Sequence, residues 1–291
     1  MRAHTKKAIL LVSFGTGQTD ARIRSLDAIE ADLRTEFPEY PVFTAWTSRR
    51  LIDRQRRVYS IHIDTVEEAM NRIISEGITE VIVQPTFAVP GSEYDNLRLD
   101  VFPFCDSFSS ILFCTPLLTD EDDCSAVAQA VLHEFADLPE QKALLLVGHG
   151  SSAGTADSSD RLYPLLEQIF RQLGYPNIFV ETLKTASSPE NLISKINALH
   201  PQQILLAPLM ITAGHHATRD LFGNHRDSLT NLLVNSGYPV SPVMKGLGEY
   251  SGIRNIFVQR VRMSNLAGRD LSAPTFTTTL DKRSKTVHPN F

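Results

Sequence analysis

The run Gln203-Ile204-Leu205-Leu206-Ala207-Pro208-Leu209-Met210-Ile211-Thr212-Ala213-Gly214-His215-His216-Ala217 decides how the rest of the chain is read. Gln203 to Ala207 is a short apolar stretch of the kind that makes a buried parallel strand. It empties through a proline and a glycine into two adjacent histidines, and a helix is expected to start near Ala217. Open α/β sheets bind ligands at the carboxyl ends of their strands, so this turn is a candidate wall of a ligand cleft.

The same arrangement occurs earlier. Glu80 to Gln84 reads as a strand, and Pro85 precedes Gly91 by six positions and Glu93 by eight. In the later stretch Pro208 precedes Gly214 by six and His216 by eight. The strands that open each half also match, Leu10-Leu11-Val12-Ser13-Phe14-Gly15-Thr16 against Leu145-Leu146-Val147-Gly148-His149-Gly150-Ser151. Phe14 thus corresponds to His149, and Glu93 to His216. Around these anchors, further strands are expected at 42–46, 111–114, 178–182 and 240–243. Helices are expected at 23–37, 65–76, 94–104, 120–136, 158–173, 189–199 and 253–263. Strands alternating with helices imply parallel sheets with right-handed crossovers. The predicted fold class is therefore α/β, with two doubly wound parallel-sheet domains related by an internal repeat and a cleft between them. The expected boundaries are 1–137 and 138–265, with the helix 253–263 packing back on the first domain. Residues 266–291 lack periodicity and are rich in Thr, Ser and Lys, which suggests a mobile tail or a docking arm, and with it a homo-oligomer.

Composition narrows the function classes. With 42% apolar and 21% charged residues, the 291-residue chain has the make-up of a globular protein with a sizeable core. A net charge of -5 argues against a nucleic-acid partner. Apolar runs such as Ala8–Val12 and Ala143–Val147 are too short to span a bilayer. The basic start Met1-Arg2-Ala3-His4-Thr5-Lys6-Lys7 lacks a small-residue cleavage site, so no signal peptide is expected. Cys105, Cys114 and Cys124 have neither even number nor zinc-ligand spacing, which suits a reduced, cytoplasmic protein.

The chemistry-bearing residues cluster at the strand ends. His149 sits between glycines directly after a strand, and His216 is expected at the edge of a nearby strand of the same half. Glu93 would approach from the other half. Two imidazoles and a carboxylate suit divalent first-row metals, and an incomplete shell leaves positions for a substrate. An imidazole near neutral pKa also accepts and releases protons. A lone histidine is more often a surface or hydrogen-bonded residue than a ligand. His4, His62, His133, His200, His225 and His288 keep that plain reading. His215 is the weaker of its pair, because adjacent side chains diverge. Glu93 alone would be an ordinary acidic residue at a helix start; its equivalence to His216 singles it out.

The segment Ser48-Arg49-Arg50-Leu51-Ile52-Asp53-Arg54-Gln55-Arg56-Arg57 is the one basic cluster. It reads either as a clamp for a polycarboxylate or phosphate, through Arg49, Arg50, Arg54 and Arg57, or as a solvated helix face. Ser13, Thr16, Gly148, Ser151 and Ser152 are candidate donors to anionic groups. Neither glycine turn has the spacing of a P-loop or a dinucleotide fingerprint. A histidine phosphatase built on Gly148-His149-Gly150 would want an arginine immediately before the histidine, and the chain has none there.

Taken in order, Leu11-Val12-Ser13-Phe14-Gly15-Thr16, Ala45-Trp46-Thr47-Ser48, Ile61-His62-Ile63-Asp64-Thr65, Gly91-Ser92-Glu93-Tyr94, Gly148-His149-Gly150, Pro208-Leu209-Met210 and Gly214-His215-His216-Ala217 resemble the anaerobic sirohydrochlorin cobaltochelatases, the CbiK family of class II tetrapyrrole chelatases. Gly246-Leu247-Gly248-Glu249 and Ile253-Arg254 to Phe257 resemble that family's C-terminal segment, so the likeness runs from about residue 7 to 264. It implies a bilobal chelatase with a tetrapyrrole cleft. The family's two active-site histidines would fall on His149 and His216, and its metal-associated glutamate on Glu93. Where relatives carry an acidic residue before the second histidine this chain has His215.

The implied activity is insertion of Co2+ into sirohydrochlorin in the anaerobic cobalamin pathway, with the metal as substrate and no permanent cofactor. His149, His216 and Glu93 would hold the metal and take protons. Ser13, Thr16, Arg49, Arg50, Arg54 and Ser151 would bind the polycarboxylate ring. Fe2+ or Ni2+ insertion, another porphyrin, or a non-catalytic tetrapyrrole or metal carrier are the alternatives, because ligand type alone does not choose among these metals.

Overall fold

The computed structural model describes residues 6–150, 158–183 and 189–267. Strands β1 (Lys7–Ser13), β2 (Val42–Trp46), β3 (Asp64–Thr65), β4 (Glu80–Pro85) and β5 (Ser110–Phe113) form one parallel sheet in the order β3-β2-β1-β4-β5. Strands β6 (Lys142–Gly148), β7 (Ile178–Thr182), β8 (Gln203–Pro208) and β9 (Val240–Pro242) form a second in the order β7-β6-β8-β9. The order β2-β1-β4-β5 matches β7-β6-β8-β9, with the opening strand of each half second from one side. This is the expected pair of doubly wound α/β lobes.

The equivalence extends to individual backbone bonds. Val12 pairs with Pro85, and Val147 with Pro208. Past the strands, Thr86 N donates to Val12 O at 2.8 Å, as Leu209 N does to Val147 O at 2.8 Å. Leu117 N donates to Phe87 O and Leu247 N to Met210 O, each at 2.8 Å. Glu93 and His216 each lie six residues beyond this last acceptor. They therefore hold equivalent places in the two lobes.

Side chains alternate across each sheet, because successive residues of a strand face opposite ways. In β1, Ile9 and Leu11 join a core cluster that also takes in Leu144 and Leu146 of β6. Ala8, Leu10 and Val12 face a second cluster, and Ala143, Leu145 and Val147 a third. One core thus runs between the two sheets, and each sheet has its own helix-covered outer face. That burial on both faces explains why the strands are almost continuously apolar.

Helix α1 follows β1 as an α turn (Thr19–Arg22), a π turn (Ile23–Asp27) and an α segment (Ala28–Glu36). The basic segment is helix α2 (Arg49–Tyr59), with Ile52 and Gln55 buried. Helix α3 (Val66–Ser75) starts with a capping box between Thr65 and Glu68. Helix α4 (Ser92–Val101) is shorter than expected and gives way to a 3-10 turn at Phe102–Ser107, because Pro103 cannot donate to an α-helical ladder. Helices α5 (Glu121–Glu134), α6 (Leu162–Gln172) and α7 (Pro189–Asn197) fall where periodicity put them. Helix α8 (Leu229–Asn235) was not expected from the sequence.

Helix α9 (Ser251–Ala267) begins earlier and ends later than the expected 253–263, and takes the first two residues of the segment read as a tail. Residues 268–291 lie outside the described residues. Tyr250, Ile253, Phe257 and Val261, at helical spacing, are at most 1% exposed. They bury against α5 and the first lobe, with Ile253, Phe257 and Val261 each contributing roughly 1.5–3 kcal/mol. Arg254 reaches Asp32 at 2.7 Å and Arg262 reaches Glu36 at 2.8 Å, both on α1. The exposed Arg262–Glu36 pair is worth at most about 1 kcal/mol and the partly buried Arg254–Asp32 pair is a single contact, so apolar burial decides the docking of α9.

All three cysteines are free thiols. Burial pushes Cys114 up to about 11 and Cys124 up to about 12, so both stay protonated and inert at neutral pH. Among the described residues no helix is long and apolar enough to cross a membrane.

Candidate active site at the strand ends

The two opening strands end in turns of one design. Gly15 has φ +99° and Gly150 φ +76°, in the left-handed region that side chains disfavour. A Cβ on Gly15 would lie 2.4 Å from the Trp46 ring, and one on Gly150 would lie 2.9 Å from Cβ of Thr182. Trp46 and Thr182 end the neighbouring strands β2 and β7, so each turn is pressed onto the strand beside it. The residue ahead of each glycine is pushed outward. In the first lobe that is Phe14, 46% exposed; in the second it is His149, also exposed.

His149 and His216 meet. Their ring centroids are 4.7 Å apart and the rings stand edge to face at 78°. His149 Nδ1 lies 3.0 Å from its neighbour's carbonyl, Gly150 O. A carbonyl only accepts, so Nδ1 carries the proton and Nε2 keeps its lone pair. His216 Nδ1 lies 2.7 Å from Asp220 Oδ2, which sets the same tautomer when that carboxylate is ionised. In the neutral tautomer these contacts favour, each ring keeps its lone pair on Nε2. His215 is exposed, with its ring 6.0 Å from that of His216.

The lobes touch beside this pair. Gln18 Nε2, just before α1, donates to Thr218 Oγ1 at 3.0 Å. Gly214 comes so close to the first lobe that an added Cβ would lie 3.0 Å from Thr16 Oγ1. The histidine turn of the second lobe thus rests against the turn that carries Phe14.

The remaining predicted residues are placed less uniformly. Glu93 is exposed on the first turn of α4 and accepts from Thr47 Oγ1 at 3.2 Å. Among the described residues no group of three His, Cys, Asp or Glu side chains is gathered for a metal ion, so Glu93 stands outside the histidine pair. Tyr94 beside it donates to Cys114 O at 3.2 Å, and burial pushes its phenol up, keeping that donor protonated.

Ser13 and Thr16 were expected as donors to an anion, and the structure buries both at 3% exposure. Ser13 Oγ accepts from Thr86 Oγ1 at 2.8 Å. Thr16 accepts from Gln18 N through its hydroxyl and from the Gln55 side chain through its carbonyl. Their polar atoms close the turn rather than face the cleft. Gly148 is likewise buried within β6. Ser151 and Ser152 lie outside the described residues.

Arg49, Arg50 and Arg54 are exposed along α2 and make no ion pair among the described residues. The Arg54 guanidinium lies over the β1 turn, 3.6 Å from where a Cβ of Gly17 would sit. Arg56 is turned away, pairing with Glu68 at 2.8 Å, and Arg57 lies 4.0 Å from Asp53. Arg54 is thus the basic residue most directly tied to the strand-end turns.

Two contributors were given no role from the sequence. Asp220, four residues after His216, gives the His-x-x-x-Asp spacing that one helical turn brings together. Thr47, the residue after β2, holds Glu93.

The chain is similar to known proteins in sequence and in fold. The family described as "Cobalt chelatase (CbiK)" matches residues 7–265. A sirohydrochlorin cobaltochelatase of Salmonella typhimurium is 28% identical over 259 residues, covering 89% of this chain and 96% of the relative. The sirohydrochlorin cobaltochelatase CbiKC of Nitratidesulfovibrio vulgaris is 29% identical over 264 residues, covering 88% and 90%. Among solved structures, the sirohydrochlorin chelatase SirB of Bacillus subtilis subspecies spizizenii in complex with cobalt has a TM-score of 0.61 at 15% identity. That alignment covers 92% of this chain and 98% of SirB. DR2241 of Deinococcus radiodurans, a multi-domain protein with structural similarity to chelatases, has a TM-score of 0.54 at 13% identity. It is aligned over 88% of this chain and 55% of its own. At these identities the two structures bear on the fold alone.

Proposed function

Since the chain belongs to the CbiK cobalt chelatase family, we propose that it inserts Co2+ into sirohydrochlorin at the cleft between its lobes, as a step of anaerobic cobalamin synthesis. The observation that carries the reading is the His149–His216 pair, two imidazoles 4.7 Å apart with both Nδ1 atoms engaged. In this reading the two Nε2 atoms take Co2+ from water. Imidazole nitrogen bonds such divalent ions at about 2.0–2.1 Å, and in this reading both Nε2 atoms turn to one ion.

Insertion exchanges one Co2+ for two pyrrole N–H protons, so the site must also accept protons. An imidazole that releases its metal to the ring is a suitable acceptor, since its affinity for protons lies near neutral pH. Glu93, held by Thr47, is assigned to the macrocycle side as an aid to proton removal. Arg54, with Arg49 and Arg50, is assigned to the ring's carboxylates, for which guanidinium offers paired donors. The exposed Phe14 ring is assigned to the macrocycle as an apolar surface. Three free thiols, two of them buried and inert, suit a reducing cytoplasm.

The test is turnover. Purified protein, sirohydrochlorin and Co2+ are mixed anaerobically and the absorbance change of metallation is followed. A rate well above the protein-free mixture is expected, and a rate equal to it would reject the enzyme in favour of a carrier. Repeating the assay with Fe2+ and Ni2+ ranks the metals.

A further inference from the structure

The two histidines are oriented by different kinds of partner. His149 Nδ1 is held by the backbone carbonyl of Gly150, which no side-chain substitution removes. His216 Nδ1 is held by the Asp220 side chain, 2.7 Å away and four residues on, within the π turn Ala217–Leu221. A π turn is an uncommon geometry that tends to occur at functional sites. Asp220 is otherwise lightly engaged, with Arg219 Nε no nearer than 3.9 Å. His216 is 47% exposed at its side chain and meets His149 edge to face, so little packing fixes its ring.

We propose that Asp220 is a positioning residue for metal capture. Its carboxylate accepts the Nδ1 proton of His216, fixes the ring rotamer and tautomer, and keeps the Nε2 lone pair available beside that of His149. Without it the imidazole rotates freely and spends part of its time with the proton on Nε2, where it cannot take a metal. The inference rests on the chelatase reading for its consequence in turnover, but its geometric content concerns Co2+ binding alone. Outer partners of this kind typically contribute ten- to a hundredfold in metal affinity or activity.

The experiment compares wild type, Asp220→Ala and Asp220→Asn in the full chain. Two readouts are used: the visible absorption of protein titrated with Co2+ alone, and steady-state insertion with Co2+ and sirohydrochlorin varied separately. Asp220→Ala is expected to weaken Co2+ binding and kcat/KM for Co2+ by about ten- to a hundredfold, with an altered Co2+ spectrum. The KM for sirohydrochlorin and the thermal midpoint should stay at wild-type values. Asp220→Asn should recover most of the loss, because its amide oxygen still accepts the Nδ1 proton. Wild-type Co2+ binding and spectrum in Asp220→Ala would overturn the proposal. So would an equal loss in both variants with an unchanged spectrum. If wild type binds Co2+ but does not outpace the protein-free mixture, the chelatase reading fails while the titration still decides the role of Asp220.

Discussion

The strand-end regions of the two lobes share a backbone and differ in chemistry. In each, a strand stops at a left-handed glycine, Gly15 or Gly150, and the central neighbouring strand continues through the same hydrogen bonds. Onto this common frame the first lobe places Phe14 and Glu93, and the second places His149 and His216. Only the second pair is brought together as rings in contact. Glu93 turns instead to Thr47 of its own lobe. The repeat thus supplies two equivalent positions twice over, and the side chains divide them into an apolar and acidic wall and an imidazole wall. In the proposed reading, the first set takes the flat, carboxylate-rich ring and the second the cation.

That comparison can be broken at several points. The largest effect is expected at the imidazoles. His149→Ala and His216→Ala should each lower cobalt insertion by about a hundredfold or more, in the range a positioned proton acceptor contributes. Both side chains are exposed, so unfolding midpoints should not move.

Next come the glycines that shape the two turns. Gly150→Ala and Gly15→Ala should each destabilise the fold by roughly 1–3 kcal/mol in denaturant unfolding, from the positive φ and the clash with Thr182 or Trp46. Their insertion rates should diverge. Gly150→Ala displaces His149 and should lose most of its activity, whereas Gly15→Ala displaces Phe14 and should mainly raise the KM for sirohydrochlorin.

A smaller effect is expected at Arg54. Arg54→Ala should raise the KM for sirohydrochlorin by about three- to tenfold with little change in kcat, and added salt should narrow the gap, as for an exposed ionic contact. The smallest is at His215. Its ring is 6.0 Å from that of His216, and His215→Ala should change the cobalt rate by less than about threefold while shifting the ratio of cobalt to nickel insertion.

Much of this arrangement was legible in the residues. The apolar runs Ala8–Val12 and Ala143–Val147 fall within β1 and β6, because a parallel strand buried on both faces leaves an uninterrupted apolar stretch. The offsets Pro85–Glu93 and Pro208–His216 were legible for a deeper reason. A repeat that preserves hydrogen-bond register must preserve residue counts between its fixed points. Helix α8 was missed because it has only seven residues, too few for a periodic signal; Ser228 caps it and Leu229 and Leu233 bury it. The π turns were missed because apolar spacing does not distinguish them from α-helix over five residues.

At the site, Ser13 and Thr16 looked like donors because hydroxyls at a strand end often are. Ser13 is covered by Thr86 of its own lobe and Thr16 lies against Gly214 of the other, which only the assembled turns reveal. Asp220 was hidden for the opposite reason: an acidic residue in a helix's first turn is ordinary until His216 is seen 2.7 Å away. Glu93 shows the limit of symmetry. The register makes it equivalent to His216, but equivalence of backbone does not bring side chains to one point.

The central claim is that the imidazole wall of the second lobe performs metal insertion. It is tested most directly by the anaerobic rate of Co2+ insertion into sirohydrochlorin for wild type, for the His149→Ala, His216→Ala double variant, and for the protein-free mixture. The account predicts a wild-type rate far above the other two, with the double variant close to the protein-free rate and still folded. A double variant that inserts cobalt at the wild-type rate, or a wild type no faster than the protein-free mixture, would contradict it.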